Sequence, residues 1–260
     1  MLVYPQLQTG ALCQFPIRKR HRVRTVINQA ADGSCIKLAD PAAELTEWQL
    51  TYAGLNDDEI DELQQFFSAA EGTLNGFTFL DPTANLLALS DQLDADDWQR
   101  DPFVTVTGNV SDPTGGAKAW QLSNTGGAGQ RISQTLQASA SYLYCFSAYA
   151  RSSQATNVRM SIGDDAVDRA VNSSWSRITF AEAPQSEEES IRFGLETPAG
   201  VSLDVYGMQV EPQAGASVYK SSIRNGVYLD AHFSLDVFRV TSTDVNHHSC
   251  SLSIIHANHL

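Results

Sequence analysis

Two clusters of acidic residues are the first side chains whose types suggest chemistry. Asp164 and Asp165 lie close to Asp168, and residues 187–189 are three consecutive glutamates. Two carboxylates placed across a sugar are the acid and the base of glycoside hydrolysis. Acidic residues in turns rich in glycine and serine are usually solvated, so we interpret both clusters as surface loops. Because the sequence also lacks a G-x-S-x-G elbow and an HExxH motif, we predict no catalytic residue and no enzyme activity.

Histidines near the C-terminus are a second candidate for chemistry, because imidazole is a common metal ligand. A transition-metal site needs ligands that converge from fixed positions. A short hairpin and a terminal tail do not hold side chains in this way, so we predict no metal and no cofactor. The four residues are His247, His248, His256 and His259.

Tryptophan and arginine side chains in the middle of the chain are candidates for sugar binding. A β-sandwich usually recognises a sugar with an exposed aromatic ring and with polar groups for the hydroxyls. Trp120 and Trp175 fall where strands place core residues, so we favour packing for both. Trp98 stands among aspartates and other polar residues, and we expect it to be partly exposed. The candidate glycan-binding residues are Trp98, Arg131, Arg151 and Arg159.

A basic run, RKRHRVR, stands out in a chain whose formal net charge is -13. Strand alternation places its four arginines on one face. Two interpretations remain open: a solvated strand, or an electrostatic seam against an acidic neighbouring subunit or a channel wall. The candidate assembly residues are Arg18, Arg20, Arg22 and Arg24.

Composition excludes several classes of function. The pI near 4.7 argues against a nucleic-acid partner. No apolar run approaches the roughly 20 residues that a membrane helix needs, and the N-terminus lacks the pattern of a signal peptide. The cysteines show no CxxC or metal-finger spacing, so we expect reduced thiols in a protein made in a cytosol, with a structural disulfide as the less favoured alternative. They are Cys13, Cys35, Cys145 and Cys250.

Residues 48–82 predict a strand, a helix and a second strand. Asn56 and Glu59 have the spacing of a capping box, and Gly72 is placed to end the helix. Phe77 and Phe79 then alternate into a strand. The residues predicted to face inward are Trp48, Leu50 and Tyr52 on the first strand, and Ile60, Leu63, Phe67 and Ala70 on the helix.

Two further runs of strands flank or follow this unit. Before it, the basic run leads through a turn at 31–34 into a second strand near residues 35–38, which predicts a hairpin. After residue 226 strand patterns return, and because so short a tail cannot fold alone, we expect it to close the N-terminal sheet.

Between about residues 87 and 221 helical periodicity is replaced by short alternating runs separated by turns, which predicts an antiparallel β-sandwich. The predicted organisation is a discontinuous domain at 1–86 and 222–260 with an inserted sandwich at 87–221. The candidate strands of the sandwich are residues 103–107, 119–122, 130–136, 143–150, 157–162, 176–181, 190–195 and 203–210.

The flanking segments resemble the distal-tail or minor-tail proteins of long-tailed, siphophage-like bacteriophages and related gene-transfer particles. The resemblance covers roughly residues 10–86 and 222–260, and it rests on WQLTY, DDEIDELQQFF, GFTFLDP and a late strand pair beginning near Gly226. It implies an α+β tail-hub β-sandwich, mainly β with one short helix. It also implies a homo-oligomeric ring, a hexamer in this family, that joins the tail tube protein to the hub proteins of the tip. Such a protein is assembled in the host cytoplasm and resides in the virion.

The middle stretch resembles the jelly rolls, similar to carbohydrate-binding modules, that occur in phage tail proteins. The matching pieces include RISQ at 131–134, YCFSAYA at 144–150, WSR at 175–177 and VYGMQVE at 205–211. The resemblance implies an inserted antiparallel β-sandwich with host-surface glycans as candidate ligands. In that family a tryptophan such as Trp98 can instead be a structural edge residue. A stand-alone or enzyme-appended carbohydrate-binding protein remains the alternative function.

Overall fold

The computed structural model describes residues 2–184 and 186–257. Two compact units divide the chain. Unit 1 consists of the segment up to Gln8, Cys13–Phe79 and the segment from Tyr228 onward, whereas unit 2 consists of Thr9–Leu12 and Leu80–Val227. Among the described residues, no helix combines the length and the apolar composition needed to cross a lipid bilayer.

One helix and sixteen strands make up the described part of the chain. The helix α1 (Asp57–Ala69) lies between the second and third strands. The strands are β1 (Arg18–Gln29), β2 (Cys35–Leu55), β3 (Phe77–Leu80), β4 (Gln99–Arg100), β5 (Val104–Val110), β6 (Ala119–Asn124), β7 (Gln130–Leu136), β8 (Tyr144–Arg151), β9 (Thr156–Ile162), β10 (Asp165–Val171), β11 (Ser176–Glu182), β12 (Ile191–Thr197), β13 (Ser202–Glu211), β14 (Val227–Phe233), β15 (Val240–Asp244) and β16 (His247–Ala257).

Unit 1 is built on a six-stranded sheet in the order β1-β2-β16-β14-β3, with β15 paired to β16. The tail strand β16 pairs antiparallel with β2, which confirms that the C-terminal segment closes the N-terminal sheet. Successive side chains of a strand point to opposite faces of the sheet, so every second residue of β2 and its partner on β16 are buried on the same face. The paired core residues are Trp48 with Ile254, Leu50 with Leu252, and Tyr52 with Cys250.

Aromatic rings fill the core beside this sheet. The hydroxyl oxygens of Tyr4 and Tyr52 lie 2.7 Å apart, so two buried phenols satisfy each other. The Tyr4 ring meets Phe79 edge-on at 5.5 Å between centroids, and Phe77 lies 4.9 Å from Phe233. These contacts join the N-terminal segment, β3 and β14 into one apolar cluster.

The helix follows its sequence signals closely. The Asn56 side chain accepts from the Glu59 backbone N–H at 2.8 Å, and the Glu59 carboxylate accepts from Asn56 N–H at 3.2 Å, so the capping box is confirmed. Gly72 has a φ of 65°, the left-handed conformation expected where the helix ends. Phe67 is half-buried, 4.9 Å from Phe233 between ring centroids. The remaining residues predicted to face inward, Ile60, Leu63 and Ala70, are buried.

The predicted hairpin of β1 and β2 is confirmed, but β2 is longer than expected. Its 21 residues join two segments that the sequence suggested were separate strands. The register shifts between Arg22 and Arg24, and beyond that point residues 24–29 pair only with residues 35–40. We call residues 24–40 the ribbon. Its side chains are exposed on both faces, except at Asp40.

Unit 2 is an antiparallel sandwich of two five-stranded sheets in the orders β10-β9-β12-β7-β4 and β11-β8-β13-β6-β5. From β6 to β13 successive strands alternate between the sheets, apart from the β9–β10 hairpin, as in a jelly roll. Rings from the two sheets meet in the core, with Phe193 at 5.2 Å from Tyr144 and 6.2 Å from Phe146 between centroids. The predicted fold class, mainly β with one helix and an antiparallel sandwich, is confirmed.

All eight candidate strands of the sandwich are present, with ends within three residues of those predicted. Two strands were missed, β4 and β10. The interpretation of the first acidic cluster as a loop is wrong for Asp165 and Asp168, which lie on β10. This strand is at the edge of its sheet, where charged side chains are tolerated on the solvent face and obscure the apolar alternation.

The segments that lead into and out of the sandwich bind each other. We call them the neck, residues 80–90 and 217–227. Asp81 N–H donates to Gly226 O at 2.8 Å, and Ser90 N–H donates to Ser222 O at 3.1 Å. The buried Asn85 side chain accepts from Val210 N–H at 3.1 Å and donates to Met208 O at 2.9 Å. The neck is therefore an ordered part of unit 2.

Candidate functional site

The four candidate assembly arginines lie on β1, and all are exposed. Arg22 reaches Glu47 at 3.5 Å, and Arg24 forms an ion pair with Asp40. Within residues 2–184 and 186–257, no carboxylate forms an ion pair with Arg18 or with its neighbour on the same face, Arg20. Two of the four arginines, Arg18 and Arg20, therefore keep their charge available to a partner outside the protomer.

Apolar side chains accompany these charges on the ribbon. Val26 and Leu38 are opposite each other in the register, and Ile36 follows on the same face. Their exposed fractions are 37%, 51% and 60%. Ile27 is exposed on the other face, at 58%. Both faces of the ribbon thus present large apolar groups to solvent.

The expectation that Trp98 is partly exposed is wrong. Its side chain is only 2% exposed, and the indole N–H donates to Leu89 O at 3.1 Å. The neighbouring aspartates are solvated while the indole turns inward. A buried ring cannot stack on a sugar, so Trp98 leaves the set of candidate glycan-binding residues and is a packing residue.

Two of the candidate arginines share one outer surface of the sandwich, which we call the charged face. It is the solvent side of the sheet β10-β9-β12-β7-β4. Register places Arg131, Glu196, Arg159 and Asp168 in one row across four strands. The end pairs are 3.7 Å apart for Arg131–Glu196 and 3.0 Å apart for Arg159–Asp168. Because positive and negative side chains alternate, the four charges of this row cancel one another.

A pocket of about 440 Å³ opens at one end of the charged face. Arg131 and Arg192 line it from β7 and β12, and carboxylates line it from two loops and from the first residue of β10. A Cβ atom at Gly194 would lie 2.5 Å from Arg131 Cδ, so the absent side chain is what lets Arg131 lie across β12. Among the described lining residues there is no aromatic ring. The lining carboxylates are Asp164, Asp165 and Glu188.

The third candidate, Arg151, lies on the opposite surface of the sandwich, which we call the aromatic face. This is the solvent side of the sheet β11-β8-β13-β6-β5. Arg151 Nε donates to Asp204 at 2.9 Å, and the guanidinium is 4.7 Å from the centre of the Trp175 ring. Trp175 and Trp120 are half-buried, so packing accounts for only part of each ring. Nothing local in the sequence indicated the Trp175–Arg151 stack, which joins the end of β8 to the residue before β11.

A second row on the aromatic face combines a guanidinium with two phenol rings. Arg177 Cζ lies 5.4 Å from the centre of the Tyr149 ring, which in turn is 6.1 Å from Tyr206. All three side chains are half-buried. Guanidinium groups and aromatic rings at such distances attract one another by cation–π interaction, so the row presents one positive group beside two phenol rings.

The loop 111–118 borders the aromatic face and is ordered by one carboxylate. Asp112 accepts from the Thr114 hydroxyl at 2.6 Å and from Lys118 N–H at 3.0 Å. These hydrogen bonds favour the charged form and lower the pKa of Asp112 to about 2. The loop also holds Arg151, whose Nη2 donates to Ser111 Oγ at 3.0 Å.

Two of the four C-terminal histidines, His248 and His256, have packing or hydrogen-bonding contacts. His248 Nε2 lies 2.6 Å from Asp57 Oδ1 at the start of α1. His256 packs against Tyr228 at 4.9 Å between ring centres, and His259 lies outside the described residues. In the part of the chain that the structure describes, no three His, Cys, Asp or Glu residues are grouped so as to hold a metal ion. The four cysteines are free thiols.

Comparison with known proteins finds similarity in structure only. No protein family and no curated protein matches the sequence. The enzymatically active domain of tailspike protein 4 from bacteriophage CBA120 matches 50% of this chain with a TM-score of 0.40 and 13% identity, and the match spans 22% of that chain. A xylan-binding domain, CBM22-1 of Xyn10C from Paenibacillus barcinonensis, matches 55% of this chain and 98% of its own, with a TM-score of 0.39 and 13% identity.

A further match is the C-terminal family 22 carbohydrate-binding module of Xyn10B from Clostridium thermocellum. It covers 54% of this chain and 99% of that module, with a TM-score of 0.42 and 11% identity. Carbohydrate-binding modules and a phage tailspike domain are thus among the structural neighbours of about half of this chain.

Proposed function

We propose that this protein is a structural component of a phage tail tip. In this proposal unit 1 assembles into a ring, hexameric by family resemblance, that joins the tail tube to the hub, and unit 2 is an inserted domain that presents a glycan-binding surface to the host. The observation that carries the proposal is the ribbon, whose charged and apolar side chains are left exposed on both faces by the described residues of its own protomer, Asp40 apart.

An uncovered ribbon of this kind calls for a partner. A two-stranded hairpin is marginally stable in water by itself. Burying one Ile or Leu side chain contributes about 1.5–3 kcal/mol, so covering Ile27, Ile36 and Leu38 would favour association. Free positive charge at Arg18 and Arg20 suits an acidic neighbour, and a chain of net charge -13 supplies one in its own copies. A ribbon that docks on a different surface of the next copy makes a head-to-tail contact, the kind that closes rings.

Reversing the charge of the basic strand tests this assembly. The triple variant Arg20→Glu, Arg22→Glu and Arg24→Glu should lose ring formation or attachment to the tail tube, while the melting temperature of the protomer changes little because all three side chains are exposed. Mass in solution and electron microscopy of the purified protein provide the readout. Since exposed charges are screened over about 8 Å at physiological salt, assembly of the parent should also weaken at high salt.

A matched control carries the same charge change elsewhere. Arg100, Arg159 and Arg224 are exposed arginines of unit 2, and replacing them with Glu should leave assembly intact. A basic-strand variant that assembles like the parent at both low and high salt would show that the strand is only a solvated face. A parent that is a stable monomer would instead favour the alternative, a stand-alone or enzyme-appended carbohydrate-binding protein.

Glycan binding by unit 2 is supported by the pocket on the charged face. Guanidinium and carboxylate groups there offer planar, multidentate partners for sugar hydroxyls and charged substituents. We propose that the protein binds glycans without cleaving them. Full-length protein on an array of neutral and acidic glycans should retain a subset, and mass spectrometry should find the bound glycans unchanged. Failure to retain any glycan would overturn this part of the proposal, and cleavage would overturn the non-enzymatic role.

A further inference from the structure

We infer that the pocket on the charged face takes an acidic sugar residue, whose carboxylate is bound by the guanidinium groups of Arg131 and Arg192. The inference rests on the glycan binding proposed for unit 2 and names the class of ligand. At about 440 Å³ the pocket falls within the range of small-molecule sites. It can hold one sugar residue, and the open charged face continues from it.

The two arginines approach the pocket from neighbouring strands. Arg131 on β7 pairs in register with Glu196 on β12, and Arg192 lies four residues before Glu196 on the same face. Gly194 stands between them. Because a Cβ there would collide with Arg131 Cδ and would lie 2.8 Å from Ser161 Oγ, the glycine keeps open the path by which Arg131 reaches towards Arg192.

Both guanidinium groups keep donors available for a ligand. Arg192 is exposed, and within the described ranges no carboxylate forms an ion pair with it. The distance from Arg131 Nη2 to Glu196 Oε2 is 3.7 Å, longer than a hydrogen bond, so Glu196 attracts Arg131 without saturating its N–H groups. Guanidinium groups present parallel donors that match the two oxygens of a carboxylate.

The rest of the lining favours a sugar acid over a neutral sugar or a simple anion. No aromatic ring is present among the described lining residues, so stacking on the apolar face of a neutral sugar is not what the pocket offers. Asp164, Asp165 and Glu188 are acceptors suited to sugar hydroxyl groups. Asp164 and Glu188 lie on loops and Asp165 is the first residue of β10. All three are exposed, so solvent screens their repulsion of an anion, whereas Arg131 is half-buried, where charge attraction is stronger.

Titration calorimetry on the full-length protein tests the inference with trigalacturonate and its neutral counterpart, galactotriose. We expect the acid to bind at least about tenfold more tightly than the neutral trisaccharide, and to lose affinity as salt is raised. Arg192→Gln and Arg131→Gln should each weaken binding of the acid about tenfold or more, the loss expected for a charge-assisted hydrogen bond. Arg159→Gln is the matched control, because Arg159 lies on the same face outside the pocket and is already paired with Asp168.

Two more variants separate the contribution of Arg131 and Gly194 on the sheet, the floor of the pocket, from that of the exposed lining carboxylates, its rim. Gly194→Ala should weaken binding of the acid by displacing Arg131, and the fold should be kept because the colliding atoms, in Arg131 and Ser161, belong to side chains and not to the backbone. Asp164→Asn should strengthen binding of the acid two- to threefold, since a screened repulsion is removed. If galactosamine oligomers bind better than the acid and Asp164→Asn weakens that binding, the acidic rim selects the ligand and the inference is wrong.

The outcomes test separately whether the pocket binds an acidic sugar and whether unit 2 binds glycans at all. Equal affinity for the acid and the neutral trisaccharide, or binding of the acid that survives Arg192→Gln, would overturn the inference. Loss of acid binding in Trp175→Ala alone would place the site on the aromatic face and would also overturn it. Retention of neutral glycans only would reject the acidic ligand and leave glycan binding standing. Retention of no glycan would reject both.

Discussion

The two ends of β2 are built from similar residues but differ in what covers them. In the ribbon, Ile36 and Leu38 alternate with polar residues, and they are 60% and 51% exposed. Further along the same strand Trp48 and Leu50 alternate in the same way, and both are 0% exposed. The second region has β16 beside it and aromatic rings over it, whereas the first has only β1. Alternation therefore defines an apolar face, and the neighbouring strands and side chains decide whether that face is covered.

The largest expected effect compares one residue type at the two ends of this strand. Leu50→Ala should lower the free energy of unfolding of unit 1 by about 2–5 kcal/mol, because it leaves a cavity in a packed core. Leu38→Ala should change it by less than about 0.5 kcal/mol, as for other exposed sites. Hydrogen exchange of the β16 amides measures both. Equal effects in the isolated protomer would mean that the ribbon is packed against its own chain.

A smaller effect compares the side chains that begin the helix and shape the ribbon turn. Asn56→Ala should cost about 1 kcal/mol, since it removes the acceptor for Glu59 N–H in the capping box. Asp32 makes a similar local hydrogen bond, because it accepts at 2.9 Å from the N–H of Ser34, two residues along the chain. Asp32→Ala should nevertheless leave the unfolding of unit 1 unchanged, because the ribbon contributes little to its core. Denaturation of the two variants side by side checks this, and a comparable loss in both would contradict it.

The smallest effect depends on pH and compares Asp32 with a turn carboxylate of unit 2. Hydrogen bonds lower the pKa of both, in Asp112 to about 2. A carboxyl whose folded pKa lies below its ordinary value near 3.9 stabilises the fold fully above that value. The stabilisation is lost as pH falls through the folded pKa. The gap in melting temperature between parent and Asp112→Asn should therefore shrink between about pH 4 and pH 2. Asp32→Asn should show little gap, because the hydrogen bonds to Ser34 that lower the pKa of Asp32 lie on the exposed ribbon and contribute little to the unfolding of unit 1. A gap for Asp112→Asn that stays constant with pH would count against this role.

Local signals in the sequence were sufficient for several elements of the fold. The alternation from Trp48 to Tyr52 predicted the buried side of β2, and Asn56 with Glu59 predicted the helix cap, because each depends on neighbours within a few residues. Charged edge strands such as β10 were missed, since solvent on one side removes the apolar pattern. The aspartates around Trp98 suggested exposure, but the backbone turns the ring inward to a carbonyl nine residues away.

The candidate sites depend on contacts that no local pattern records. Arg131 and Arg192 line one pocket from two strands, and between them stands Gly194, where a Cβ would collide with Arg131. The Arg151–Trp175 stack likewise joins the end of β8 to the residue before β11. The sequence named Arg131 and Arg151 as candidates, but sequence alone could not show that they lie on opposite faces of one sandwich. The domain boundaries at 86/87 and 221/222 stay a prediction, which excision of residues 88–221 with a short Gly/Ser linker would test.

The neck has a consequence for how genes for such proteins can be rearranged. Asp81 and Gly226 are joined by one hydrogen bond, and Asn85 fastens the adjoining strand from within unit 2. The two points where the chain enters and leaves the sandwich are therefore adjacent through bonds that the sandwich supplies itself. A recombination event that moves the coding segment for residues 80–227 would transfer a unit whose two ends are already held next to each other. Any recipient loop with neighbouring ends could accept it without being stretched, so the glycan-binding surface proposed for unit 2 would move in a single exchange.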